Sequence, residues 1–350
     1  MNALSHKHSS AHERLRKIFR EARLPIMAAP MFLVSSPELV SASQQAGIVG
    51  TYAAPNARTT SALDAALGRI AERASALALD QEHGNAPAPW ALNMIVHRSY
   101  DRFEAEMALV ERYQPGIVTT ALGNPARALD RVHAYGGLLL ADVTSPTLAR
   151  KATDAGVDGL ILVTNGAGGH TGRYHPFAFL AEVRRFWDGP IGLAGAISSG
   201  QHIRAAQLLG ADFVVMGTRL IATLESLASP PYRELVVASS MEDLELSSAI
   251  SGAPANWLRP TLEAAGFTPE QLKAEKKIDF SGDIAAAPKA WKDVWSAGHG
   301  VDAVRTIAPV ASVVDELHSD YVRCLHAEMA HLPGLTERYT DRAASIPVVA

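Results

Sequence analysis

GLILVTNGAGGHTGRYHP, running from Gly159 to Pro176, begins with four consecutive apolar residues, Leu160 to Val163, and then sheds almost all its side chains. A short unbroken apolar run is the pattern of a strand buried on both faces. Behind it stand Gly166, Gly168, Gly169 and Gly172, with His170 among them. Glycine tolerates positive φ and lets backbone N–H groups come close to a ligand. Imidazole exchanges protons near neutral pH. A bare loop with one titratable group, just past a buried strand, reads as an active site. Two other readings compete. One is a dinucleotide fingerprint built on Gly166, Gly168 and Gly172, but that motif needs a helix to start within the glycines. Here Arg173-Tyr174-His175-Pro176 intervenes, and Pro176 disfavours helix at His175. The other is a plain glycine turn whose histidine bonds only to neighbouring backbone.

Outward from this stretch, the chain repeats one unit. Apolar strands are expected at Ile26–Met31, Ile48–Tyr52, Trp90–Val96, Ile117–Ala121, Leu138–Val143, Gly159–Thr164, Pro190–Gly195 and Phe213–Gly217. An amphipathic helix follows each, the first opening at Ser36-Pro37, an N-cap with proline in the first helical position. Strictly alternating strands and helices mean parallel strands joined by helical crossovers. Eight such units predict a (β/α)₈ TIM barrel rather than an open, doubly wound sheet. The rhythm breaks after the eighth strand. Residues 225–308 show no clear apolar strand and many prolines, and read as a helical cap inserted after strand eight. Val310–Ala330 returns as a helix against the barrel. The expected division is therefore a barrel of 13–224 plus 309–332, a cap of 225–308, and loosely ordered termini at 1–12 and 333–350.

Totals restrict what such a barrel can do. Of 350 residues 48% are hydrophobic and 19% charged, enough for a sizeable core. A net charge of −4 with no dense Lys/Arg patch argues against nucleic acid. No apolar run is long enough to span a bilayer, and the first residues lack the apolar core of a signal peptide. A cytoplasmic protein acting on a small molecule is expected, with a homodimer among the assemblies the sequence allows. Cys324, the single cysteine, lies in a helical stretch and reads as a packed thiol. His6, His8 and His12 could bind a metal only if something rigid held them.

Barrel chemistry sits at the carboxyl ends of the strands. Those ends carry Ala29-Pro30-Met31, Asn93, Thr119-Thr120, Asp142, the glycine loop with His170, Gly195-Ala196 and Gly217-Thr218. Phosphate in this fold is commonly held by the loops after strands seven and eight and a short helix. Gly195, Gly217 and Thr218 offer bare N–H groups and a hydroxyl at those places, which points to a phosphate-bearing cofactor.

The motifs Ala29-Pro30-Met31, GAGGHTG at 166–172, LAGAIS at 193–198 and GADFVVMGTRL at 210–220 resemble the nitronate monooxygenase (2-nitropropane dioxygenase) family. That family is similar to the FMN-dependent enoyl-acyl-carrier reductases. The resemblance covers most of residues 24–224 and, more weakly, Trp291–Gly300. It implies FMN, with Ala29, Pro30 and Met31 against the isoalloxazine ring and Asn93 bonded to the cofactor. Gly168 and Gly169 would belong to the cofactor-binding loop, and Gly195, Ala196, Gly217 and Thr218 would hold the phosphate. His170 would be the catalytic histidine, acting on a nitronate or similar small organic molecule with O₂ as the electron acceptor, to give a carbonyl compound and nitrite. The alternative keeps FMN but makes the protein an NAD(P)H-dependent reductase of quinones or enoyl thioesters; a barrel that only binds a phosphorylated ligand is a third reading. Three departures stand out: Gly166 where many members have glutamate, Ala196 where many have glycine, and Asp142 where relatives often carry lysine near the flavin.

Other residues attract less. His97, His133, His202 and His318 are scattered, and Asp64, Arg69 and Glu72 read as a solvated helix face. Trp257, Trp291 and Trp295 either line a substrate pocket or fill the cap's core. No Gly-x-Ser-x-Gly elbow supports a hydrolase.

Overall fold

The computed structural model describes residues 2–79, 88–274 and 292–343, with side chains from 10 to 334. Eight parallel strands form the main sheet: β1 (Ile26–Ala28), β2 (Thr51–Ala53), β3 (Ala91–Ile95), β4 (Ile117–Ala121), β5 (Leu138–Val143), β6 (Gly159–Val163), then, past a short β7 (Gly169–His170), β8 (Ile191–Ala194) and β9 (Phe213–Met216). Its order is β1-β9-β8-β6-β5-β4-β3-β2. The two ends of that order meet where Met27 bridges Val49 in parallel, with Ala28 N donating to Val49 O at 2.8 Å and Val49 N to Ile26 O at 3.0 Å. That bridge closes a TIM barrel, as the alternation of elements predicts.

Side chains alternate across each strand. One set fills the barrel: Met27, Val49, Ala91, Ile117, Leu140, Ile161 and Val215 pack together. The other set packs outward beneath the helices, as Leu92, Val118, Leu139, Leu160 and Val214 do. Two strand glycines are dictated by this filling. A Cβ on Gly192 would sit 2.3 Å from the Phe213 ring, and one on Gly159 would sit 2.8 Å from Leu15 Cδ2.

Leu15 reveals a difference from the sequence reading. The first helix runs Asn2–Glu21, taking in residues expected to be loosely ordered, and its Leu15 and Phe19 plug the amino-terminal end of the barrel. Phe19 stacks on Phe213 with ring centroids 3.9 Å apart. His12, on the same helix, lies edge-on to Trp187 at 4.9 Å. The last helix also exceeds its expected end, running Val310–Ala343. It lies along the helix Gly200–Leu208, where Arg204 pairs with Glu328 at 2.7 Å.

The excursion between strand nine and this last helix leaves and returns at one place, where Thr223 bridges Ala308. It is not purely helical. β10 (Leu244–Ser247) and β11 (Ala255–Leu258) pair antiparallel, and β7 of the glycine loop adds to β11 as the third strand. Alternation is short here and broken by turns, so the strands gave no apolar run to read. Trp257 is fully buried in the cap's own core with Leu262 and Val294, its indole N–H donating to Ser247 O at 3.1 Å. Trp291 lies outside the described residues.

Candidate active site

The carboxyl ends of the barrel strands open into a cavity of about 1080 Å³, just above the usual range for small-molecule sites. All the expected catalytic and cofactor-binding residues line it: Ala29, Pro30 and Met31; Asn93; Gly168, Gly169 and His170; Gly195 and Ala196; Gly217 and Thr218; Thr119, Gly172 and Trp257 are not in its lining. Residues nearly 190 positions apart in sequence thus share one wall because each sits at a strand's end.

The turn after β1 is held by a residue the sequence reading passed over. Asn56 donates from Nδ2 to Met31 O at 3.1 Å and Ser35 O at 2.7 Å, and its Oδ1 accepts from Leu33 N at 2.8 Å. Leu33 has a φ of 59°, and the amide clamp holds that left-handed turn in place. An asparagine among Ala54-Pro55-Asn56 looks like ordinary turn chemistry in sequence, so nothing there marks a partner more than twenty residues back.

Polar groups form the barrel's top layer. Asn93 Nδ2 donates to Thr119 Oγ1 at 2.9 Å and reaches Asp142 Oδ2 at 3.4 Å. Burial at the cavity floor pushes the Asp142 carboxyl up to about 7, and the Asn93 hydrogen bond opposes that only partly. Near neutral pH this carboxyl is therefore divided between its acid and its anion, a different neighbour from the permanent cation of a lysine.

The glycine loop is shaped by what crosses it. Gly166 takes a φ of +88°, and its carbonyl accepts from Ala196 N at 3.3 Å and His299 N at 2.9 Å. A Cβ at Gly168 would stand 2.7 Å from Gly298 N. Beyond it the loop becomes β7: Gly169 pairs with Asn256 and His170 with Ala255, while Asn256 Nδ2 donates to Ala167 O at 2.8 Å. The cap sheet thereby fixes the backbone that carries His170. The imidazole is half-buried in the cavity wall, and desolvation lowers its pKa below the usual histidine value. It is neutral at neutral pH, the form that accepts a proton.

Beside the glycine loop, Gly195 has a φ of +126° and Ala196 a φ of 57°. Ala196 thus keeps the left-handed turn that glycine would adopt more easily. Thr218 Oγ1 accepts from Gly298 N at 2.9 Å. A Cβ at Gly217 would lie 3.2 Å from Ala29 Cβ, so bare backbone there keeps this corner open. The segment Trp295–Gly300 does reach the site: Trp295, Ser296 and Gly300 line it, and Trp295 stacks on Tyr232 at 4.9 Å. Of the scattered histidines, His133 lies 2.8 Å from buried Asp158, and His202 contacts Ser198.

The family model for nitronate monooxygenase matches residues 13–320. This chain belongs to the nitronate monooxygenase family. Membership makes it an oxidoreductase, and the match spans both the barrel and the cap. A curated nitronate monooxygenase from Paraburkholderia phytofirmans is 29% identical over 341 residues, covering 85% of this chain and 92% of the relative. Among solved structures, FabK from Thermotoga maritima superposes with a TM-score of 0.73 at 23% identity, covering 91% of this chain and 98% of its own. A nitroalkane oxidase from Streptomyces ansochromogenes gives a TM-score of 0.73 at 24% identity, covering 88% and 99%. These two likenesses carry the fold. No described helix is long and apolar enough to cross a membrane.

Proposed function

We propose that the protein is an FMN-dependent nitronate monooxygenase, oxidising alkyl nitronates with O₂ to a carbonyl compound and nitrite. The observation that carries the proposal is the placing of a half-buried, neutral His170 in the wall of one cavity whose floor is polar and whose rim at Gly195 and Gly217 is bare backbone. The residues fit a phosphorylated flavin. Gly195, Gly217 and the Thr218 hydroxyl give a phosphate uncharged polar partners. Asn93 offers an amide to a heteroaromatic edge, and the Ala29–Met31 turn offers an apolar surface. When bound, the flavin would supply the electron-accepting ring and the route to O₂.

The chain's own groups supply position and proton control. His170 Nε2 or Nδ1 would take the proton from the acidic carbon of a neutral nitroalkane, or orient a nitronate already formed. A positioned base of this kind contributes about 10²–10⁴-fold. Trp295, Ser296 and Gly300 complete the wall of the same cavity.

A spectrum of the purified protein with extraction of the cofactor tests the flavin, and a nitrite assay with ethyl nitronate tests the reaction. His170→Ala should lower turnover of neutral nitroethane about a hundredfold or more, and that of pre-formed nitronate far less; equal effects on both would remove the proton-transfer role. Anaerobic NADH should leave the flavin oxidised. Rapid bleaching would transfer the site to the reductase reading, whose fold neighbour is FabK.

A further inference from the structure

Strand β11 is buried from end to end, yet it carries an asparagine. Asn256 is 3% exposed and takes no part in the lining of the cavity. A buried amide needs a hydrogen-bond partner, and the strand register shows where this one lies. His170 stands directly opposite Ala255, and Gly169 directly opposite Asn256, so the two pairs point to opposite faces of the cap sheet. Gly169 places no side chain on the face it shares with Asn256. Across that bare position Asn256 Nδ2 donates to Ala167 O at 2.8 Å.

The loop it reaches needs restraint from outside. Gly166 and Gly169 take φ of +88° and +64°, with Gly168 between them. Glycines leave a backbone many conformations, and a single one persists only where other parts of the chain hold it. Gly166 O accepts from the backbone of Ala196 and His299, and Thr171 N donates to Pro254 O at 2.9 Å. Thr171 Oγ1 donates back to Thr164 O at 3.0 Å. Between these points, Ala167 O is held by a side chain of the cap. We propose that Asn256 is the positioning residue of the catalytic base: its amide, bonded to Ala167 O, sets the loop so that the His170 imidazole stays in the cavity wall. Asn256 acts through the loop backbone and not on the substrate. The inference rests on the nitronate reading only for the reaction that His170 serves.

The imidazole reports its own placement, because burial is what lowers its pKa. Asp142, Lys151, Asp154 and Tyr232 share the cavity wall, but desolvation is the cause of the shift. The ring C–H signals of His170, followed by NMR in full-length protein with isotope-labelled histidine and assigned with His170→Gln, give its titration midpoint. In Asn256→Ala that midpoint should rise toward the ordinary value of about 6.5. With the holoenzyme, Asn256→Ala should lower kcat for neutral nitroethane about ten- to hundredfold, as misplacement of a reacting group by about 1 Å does, while KM and the turnover of pre-formed ethyl nitronate change less than about threefold. Asn256→Ser, whose hydroxyl is too short to reach Ala167 O, serves if the alanine variant folds poorly. An unmoved midpoint in a variant with unchanged circular dichroism overturns the role. So does an equal loss on nitroethane and nitronate, which a general loosening of the cap would produce. Failure of both variants to fold also overturns it, since Asn256 would then be a structural residue. If the unaltered protein oxidises neither compound, the proposed reaction fails and the midpoint alone decides: its rise in the variant supports the positioning, and its constancy rejects it.

Discussion

His170 and Asp142 are both pushed toward their neutral forms by the same surroundings, and the two shifts act in opposite directions on pH dependence. For His170, burial lowers the folded pKa below the ordinary histidine value. The proton-accepting form then persists as pH falls through about 6.5. The acid limb of kcat/KM for neutral nitroethane should accordingly lie below that pH, measured by a pH profile from mildly acidic to alkaline buffer. A limb at or above the ordinary value would assign the base elsewhere. Asp142 behaves in the converse manner. Its folded carboxyl titrates at about 7 against an ordinary aspartate value of 3.8. Below about pH 4 both folded and unfolded forms are protonated and the group is silent. As pH rises toward 7 the unfolded chain ionises first, so stability falls, and above 7 the penalty is complete. With some water in the cavity to moderate it, a penalty of about 1–3 kcal/mol is expected. Asp142→Asn should therefore stabilise the flavin-free protein by about that amount at pH 8 and by almost nothing at pH 4, as read by denaturant unfolding. A gain that does not change with pH would reject the titration of this group as its cause.

Barrel strands, helices and their caps could be read from the sequence because each is written locally. β4 and β5 occupy Ile117–Ala121 and Leu138–Val143, as their apolar runs indicate, and Ser36 caps its helix by accepting from Leu39 N at 2.7 Å. The mouth residues were equally legible, since a strand's end fixes where its next residues point. What escaped notice depends on partners far away in sequence. β7 is only Gly169–His170 and exists because β11 pairs with it. Polar MNALSHKHSS shows no apolar period, yet its helix is held through Leu15 and Phe19 further on, which pack inside the barrel. Phe19 is 3% exposed and stacked on Phe213, so that helix acts as the barrel's floor. Phe19→Ala should cost about 3–5 kcal/mol of stability, seen as a lower denaturation midpoint, with the cavity at the other rim unaltered. A loss below about 1 kcal/mol would make the helix an ornament on the barrel and not part of its core.

Across the whole molecule, barrel and cap share a packed core, in which Val34 and Ile221 meet Tyr232, Leu258 and Val301, and together they wall the cavity. Gly166 O accepts from His299 N, Thr218 Oγ1 accepts from Gly298 N, and β7 belongs to the cap's sheet while its residues line the barrel's mouth. A ligand seated there touches both walls at once. Ligand that binds only the folded state adds about 2.7 kcal/mol at a hundred times its Kd. If cap and barrel both contribute walls to that site, neither part can release the ligand by unfolding alone without losing this stabilisation. FMN should therefore raise the melting temperature by several degrees in a single transition, and should slow proteolysis of the cap and the barrel together. Differential scanning calorimetry with and without FMN, alongside timed proteolysis, measures both. Two separate transitions of which FMN moves only one would show that the cap is a passive lid, and that the barrel rim holds the cofactor by itself.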